Sequence, residues 1–128
     1  MPLKLSLKPS EAVIVNGAVM RNGERRGIMV LENKARVMRE KDIVFPEAVQ
    51  TAAEHAYFAL MQLYLTGETS GAIYDDAIVS LCDIVLGTKD DLVAQRVQDI
   101  AISAAAGDTY MALSKCRKLL KVDGGRDG

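Results

Sequence analysis

The chain has 128 residues, nearly half of them hydrophobic, enough for one packed domain or a small module plus a helical half, which excludes global disorder. No apolar run approaches the roughly 18–20 residues of a bilayer-spanning helix, and two cysteines without an export signal lead us to expect a reduced, cytoplasmic setting. The net charge of −1 hides an asymmetry: residues 1–45 carry nine Lys/Arg against five acids, and residues 46–128 carry seven against twelve, so the basic first part is expected to meet an anionic partner.

Leu3, Leu5 and Leu7 alternate with Lys4, Ser6 and Lys8, the period of a strand with one buried face. Pro9-Ser10-Glu11 breaks it, and Ala12–Val15 reads as a second strand. Asn16-Gly17 and Asn22-Gly23 are Asn-Gly pairs, the strongest short-range hairpin signal, because both residues tolerate positive φ. Around them lie Ala18–Met20, Gly27–Leu31 and, after a Glu32-Asn33-Lys34 turn, Ala35–Met38. About five short strands in some 40 residues predict a compact antiparallel sheet or half-barrel. Such a sheet is too small to stand alone and must pack on helices or on a second copy of itself.

The period changes at Thr51. Thr51-Ala52-Ala53-Glu54 matches a capping box, and Pro46 suits a first helical turn. Ala53, Ala56/Tyr57, Leu60/Met61 and Tyr64 then recur at helical spacing up to Thr66-Gly67. A second helix is expected from near Ser70, with Gly87 as its C′ residue. Thr88 is the expected N-cap of a third, ended by Gly107, and Asp108 caps a fourth. The expected class is α+β: a basic β module over 1–45, an acidic bundle of about four helices over 46–122, and a flexible tail over 123–128.

Catalytic chemistry finds no support. His55 is the only histidine, beside Glu54 on a helix, and too few soft ligands are present for zinc. Cys82 lies in an apolar run and is expected in the core, and Cys116 is expected to be buried or incidental. Asp75-Asp76 and Asp90-Asp91 sit in first turns, where they complement the helix dipole. No G-x-S-x-G, Cys/His pairing or phosphate-cradling Gly loop is present. We therefore expect a non-enzyme with no cofactor and no bound metal. The serious candidates are the basic residues of the β module, since Lys and Arg neutralise phosphates. No Phe, Tyr or Trp precedes Phe45, so RNA contact would use Arg, Lys, backbone amides and shape rather than aromatic stacking. A solvated polar face on a half-buried sheet is the competing reading.

Met1–Pro9, Val15-Asn16-Gly17-Ala18-Val19, Arg21-Asn22-Gly23-Glu24-Arg25-Arg26 and Arg39-Glu40-Lys41-Asp42-Ile43 carry a resemblance to the FlbT family of flagellar regulators. Tyr57-Phe58 and Ala106-Gly107-Asp108-x-Tyr110-x-Ala112-Leu113 fit the same pattern, so the resemblance covers the whole chain. It implies a post-transcriptional role in flagellum biogenesis: association with the 5′ untranslated region of flagellin mRNA, commonly as a repressor. It also implies a small partner protein, FlaF. The chain departs from the pattern at Ser10, where members usually have Gly. It departs again at Thr51-Ala52-Ala53-Glu54-His55, where they have Thr-Pro-Ala followed by basic residues. The second departure removes positive charge from the first helix and leaves the β module as the better site. The first 45 residues are also similar in strand–turn order to the carbon storage regulator proteins, small RNA-binding β dimers. That similarity implies contacts from Arg39 and Lys4, and a homodimer that completes the sheet. The expected RNA contacts are Arg25, Arg26, Arg36 and Arg39, supported by Lys4, Lys34 and Lys41, with no membrane partner. Arg39→Ala is expected to weaken RNA binding while leaving thermal stability nearly unchanged. The alternative expectation is a protein-interaction module in which the acidic bundle binds FlaF or flagellin and acts on mRNA indirectly.

Overall fold

The computed structural model describes the backbone of residues 3–127 and the side chains of residues 3–121. The protein is α+β, with five short strands followed by four helices. The chain divides into two compact units, Met1–Ile43 and Val44–Gly128.

The first unit holds β1 (Leu3–Leu7), β2 (Ala12–Val15), β3 (Ala18–Arg21), β4 (Gly27–Leu31) and β5 (Val37–Arg39). They form two small antiparallel sheets, β1-β4 and β3-β2-β5, rather than one. Buried Leu5, Leu7 and Val13 make the core, with Val15, Met29, Leu31 and Val37 packed against them. The period-two pattern of β1 works as alternation requires, because Leu5 faces Met29 across the ladder while Lys4 and Ser6 point outward.

Only one of the two Asn-Gly pairs makes a hairpin. Asn16 (φ 50°) and Gly17 (φ 85°) both enter the left-handed region and join β2 to β3. Gly23 does not have positive φ, because its segment carries the chain from one sheet to the other and β4 pairs with β1. The side chain of Asn22 organises that crossing. Its amide donates to the carbonyls of Lys8 and Arg25, each at 2.9 Å, and approaches that of Leu7 at 3.3 Å. Ser10 (φ 61°) is a non-glycine in the left-handed region, at the position where the family resemblance leads one to expect Gly.

The second unit opens with a 3-10 turn at Pro46–Ala48 and continues as α1 (Ala52–Thr66), α2 (Ala72–Gly87), α3 (Asp91–Ala105) and α4 (Thr109–Asp127). The capping box of α1 is formed: Glu54 N–H donates to Thr51 Oγ1, and Thr51 N–H donates to Glu54 Oε1, both at 3.1 Å. Gly67 ends α1 with φ 79°. The helix after it starts at Ala72 rather than Ser70 and ends with Thr88 as its extended C-cap, so Gly87 is its last helical residue. The N-cap of α3 is Asp90, not Thr88: Asp90 Oδ1 accepts from Leu92 N–H at 2.9 Å, and Thr88 Oγ1 accepts from Asp90 N–H one step earlier. Asp108 Oδ1 accepts from Met111 N–H at 3.1 Å, as an N-cap of α4 should. The flexible tail expected from residue 123 lies outside the described side chains.

Tyr57, Leu60, Leu63, Leu81, Ile100, Leu113 and Leu119 are the large, fully buried side chains of this unit. α1 packs against α2 and α4, and α3 against α4, while α2 and α3 meet much less closely. Cys116 is buried among them, and burial pushes its thiol up to about 12. Cys82 is exposed, contrary to the core position its apolar neighbours suggest, because it falls on the open side of α2.

Candidate nucleic-acid interface

Strand register sorts the basic residues of the β module onto two ends. Leu7 lies opposite Gly27, and Leu3 opposite Leu31. The turn carrying Arg25 and Arg26 therefore sits beside Lys8, where the Asn22 amide and the Ser10 N–H to Gly23 carbonyl bond (2.9 Å) clamp it. Arg39 of β5 lies opposite Val13, and its guanidinium donates to the Ser6 carbonyl at the same end. The 3-10 turn Glu40–Asp42 follows and carries Lys41. Lys8, Pro9, Glu11, Arg39, Glu40 and Lys41 line a cleft of about 390 Å³.

Lys34 and Arg36 lie at the opposite end, in the loop from β4 to β5, and Lys4 points outward from β1 opposite Val30. The ends of β1 are separated by roughly 13 Å. The backbone of Arg36 is clasped by Asn16, which accepts from its N–H through Oδ1 and donates to its carbonyl, both at 2.8 Å. Arg36 Nε is buried and has no hydrogen-bond partner among the described residues. The seven expected contacts thus do not form one patch. Arg25, Arg26, Arg39 and Lys41 share an end, and Lys4, Lys34 and Arg36 do not join them.

The charges at the first end have different jobs. Arg39 Nη2 lies 3.4 Å from Glu11 Oε2, and its side chain is about one-third exposed. Arg21 donates to the Ser10 carbonyl at 2.6 Å and lies 3.7 Å from Glu40. Glu11 Oε1 accepts from the backbone N–H of Lys8 at 2.8 Å; that bond first, and then the Arg39 charge, hold its carboxyl below the usual value of 4.5. Arg21 and Arg39 therefore hold the module together. Lys8, Arg25, Arg26 and Lys41 are exposed and have no ion pair among the described residues. Lys8 was not among the sequence candidates. The Lys8-Pro9 break at the end of β1 was the signal that it leaves the sheet beside the turn.

The arrangement is a cationic surface fixed by internal hydrogen bonds, suited to reversible binding of polyanions. Among the described residues, no three of His, Cys, Asp and Glu gather as metal ligands would. No helix among those residues is long and apolar enough to cross a membrane. A small α+β protein with a cationic β unit followed by a helical unit is the class so defined. The family model of the flagellar protein FlbT matches residues 3–125, and the chain belongs to that family. It is 42% identical over its whole length to the flagellum biosynthesis repressor protein FlbT of Caulobacter vibrioides, covering 91% of that protein. It is 39% identical, again over its whole length, to a probable flagellum biosynthesis repressor of Caulobacter sp. strain K31, covering 98% of it. A probable repressor of the same name from Bradyrhizobium diazoefficiens is 30% identical over 94% of this chain and 81% of its own. No solved structure matches.

Proposed function

We propose that this protein is a non-enzymatic, cytoplasmic repressor of flagellum biosynthesis that binds the 5′ untranslated region of flagellin mRNA through the Lys8–Lys41 end of its β module. The observation that carries this reading is a cleft lined by Lys8 and Lys41, whose other basic group, Arg39, is paired with Glu11, with the turn carrying Arg25 and Arg26 held beside Lys8. The relatives' names supply the repressor role. Bound there, the protein lowers translation or exposes the message to nucleases, and its own side chains position phosphates without cleaving them. Arg36, Lys4 and Lys34 would extend the contact only for an RNA that wraps past the β1 strand.

The test is a titration of a flagellin leader RNA at two salt concentrations. Direct phosphate contact makes affinity fall with salt, with a slope of about −0.7 per neutralised phosphate on a single strand. The Arg25→Ala, Arg26→Ala and Lys41→Ala variants should each flatten that slope. Salt-insensitive binding, or slopes equal to wild type in all three, would remove the site.

A second reading is favoured by the loosely closed α2–α3 side of the bundle. There the helical unit docks a flagellar protein such as FlaF or flagellin, and mRNA is affected indirectly. Homodimerisation through the β module is a further arrangement, implied by the likeness of the first 45 residues to the carbon storage regulator proteins and tested by sedimentation of the full chain.

A further inference from the structure

α2 and α3 leave between them a groove of about 750 Å³ that the bundle does not fill. Ile78, Leu81, Cys82, Val85 and Leu86 line it from α2, and Ala94, Val97 and Ala101 from α3. Leu86 is 84% exposed and Val85 40%, although Val85 falls with Ile78 and Leu81 on the apolar stripe that should be covered in a closed four-helix bundle. The lined stretches of the two helices run roughly 12–15 Å, which is about the length of two to three helical turns.

The charge around the groove is one-sided. Among the described residues, the only ionised group lining it is Asp91, at the α3 start. Asp75 lies three residues before Ile78 and so continues the same face of α2 beyond the other end of the groove. Asp99 is exposed next to the lining residue Gln98, whereas Asp83 faces a separate cleft beside α1. From Ala72 to Ala106 six aspartates stand against Lys89 and Arg96.

We propose that this groove is the docking site for an amphipathic helix of a partner protein, with an apolar stripe at i, i+3, i+4, i+7 spacing and Lys or Arg flanking each end of it. The apolar lining takes the stripe, and the carboxylates at the two mouths take the flanking charges. This goes beyond the RNA site, which lies in the other unit. It also supplies the partner chemistry for the second reading above. An RNA titration reports on the β module and a helix titration on the groove, so failure of one leaves the other standing.

The probe is an 18-residue designed peptide with leucines at that spacing and lysines at both ends, compared with the same peptide carrying glutamates. With the full chain, the lysine peptide should bind one to one and slow alkylation of Cys82 at least fivefold. The glutamate peptide should bind at least tenfold more weakly. Leu86→Arg and Gln98→Arg, at exposed positions, should each weaken the lysine peptide at least tenfold while leaving the melting curve and RNA binding unchanged. Equal binding of the two peptides, or unchanged binding and Cys82 protection in both variants, would overturn the proposal. So would a wild-type dimer that Leu86→Arg dissociates, since the occupant would then be a second copy.

Discussion

The guanidinium of Arg39, on the last strand of the β module, reaches back to the carboxylate of Glu11, in the turn after the first strand, at 3.4 Å. It also donates to the Ser6 carbonyl, so one side chain ties β5 to the β1 end. Arg39 is expected from sequence to be a contact residue, as a base of the β module and from the Arg-Glu that the carbon storage regulators carry at the end of their last strand. Its structural partners lie 28 and 33 residues away and leave no local trace.

Arg39→Ala should therefore lower stability, against the expectation from sequence. A charge-assisted bond to a carbonyl and a partly screened ion pair are lost together, which corresponds to a fall in Tm of roughly 5 °C. Lys41→Ala, at an exposed position without such partners among the described residues, should move Tm by about 1 °C or less. Thermal melts of the two variants separate the fastening residue from the contact residue.

Glu11 gives the β module an acid-sensitive clasp. Its pKa is lowered in the folded state by the Lys8 N–H and by Arg39. The unfolded chain thus binds the proton more readily, and the stabilisation is fully present above the ordinary value near 4.5 and is lost as pH falls through the lower folded value. Glu11→Gln should be less stable than wild type at pH 7, and the gap should close between pH 4.5 and the lower folded value. Denaturant melts at pH 7 and at successive steps below 4.5 check both the sign and the window.

Ser10 holds φ 61° while its N–H bonds to the Gly23 carbonyl and its own carbonyl accepts from Arg21. Ser10→Gly keeps both backbone bonds and removes the left-handed strain of about 1–2 kcal/mol, offset in part by the greater entropy of unfolded glycine. A net gain of about 0.5–1 kcal/mol should appear in equilibrium unfolding. A loss would mean that the hydroxyl makes a stabilising contact.

The two thiols should differ sharply. Cys116 is buried with its thiol pushed up to about 12, and Cys82 is exposed. Alkylation of the native protein at pH 8 should modify Cys82 and spare Cys116, and denaturant should release the second. Modification of both at similar rates in the native state would contradict the packing of α4 on α1.

What could be read from sequence was what is encoded locally. Thr51 and Glu54 are three residues apart, and their reciprocal bonds need nothing from elsewhere. The same holds for Asn16-Gly17, whose flanking segments pair with each other. Asn22-Gly23 has identical chemistry, but its fate was decided by β1, which takes β4 as partner and leaves Asn22 to clamp a crossing. Thr88 and Asp90 are both good caps, and the choice between them rests on where α2 stops. Among the basic residues, composition marked the module as cationic, but only strand register could separate Lys8 from Lys34. Cys82 belongs to an apolar run on a helix whose neighbour, α3, stands off from it. The sequence shows the stripe, and the spacing of two helices decides whether anything covers it.

The pairing of β1 with β4 around the intervening β2–β3 hairpin sets an order of assembly during synthesis. Leu3–Leu7 has no ladder partner until Gly27–Leu31 has followed it out of the ribosome, about two seconds later at ordinary elongation rates. The hairpin between them can close at once across its two-residue turn. Until Gly27–Leu31 is free, the leucine face of β1 has only Val13 of the hairpin packed against it and lacks its ladder partner. The strand made first in this module is thus the one whose hydrogen-bonded neighbour is made later than the whole hairpin between them.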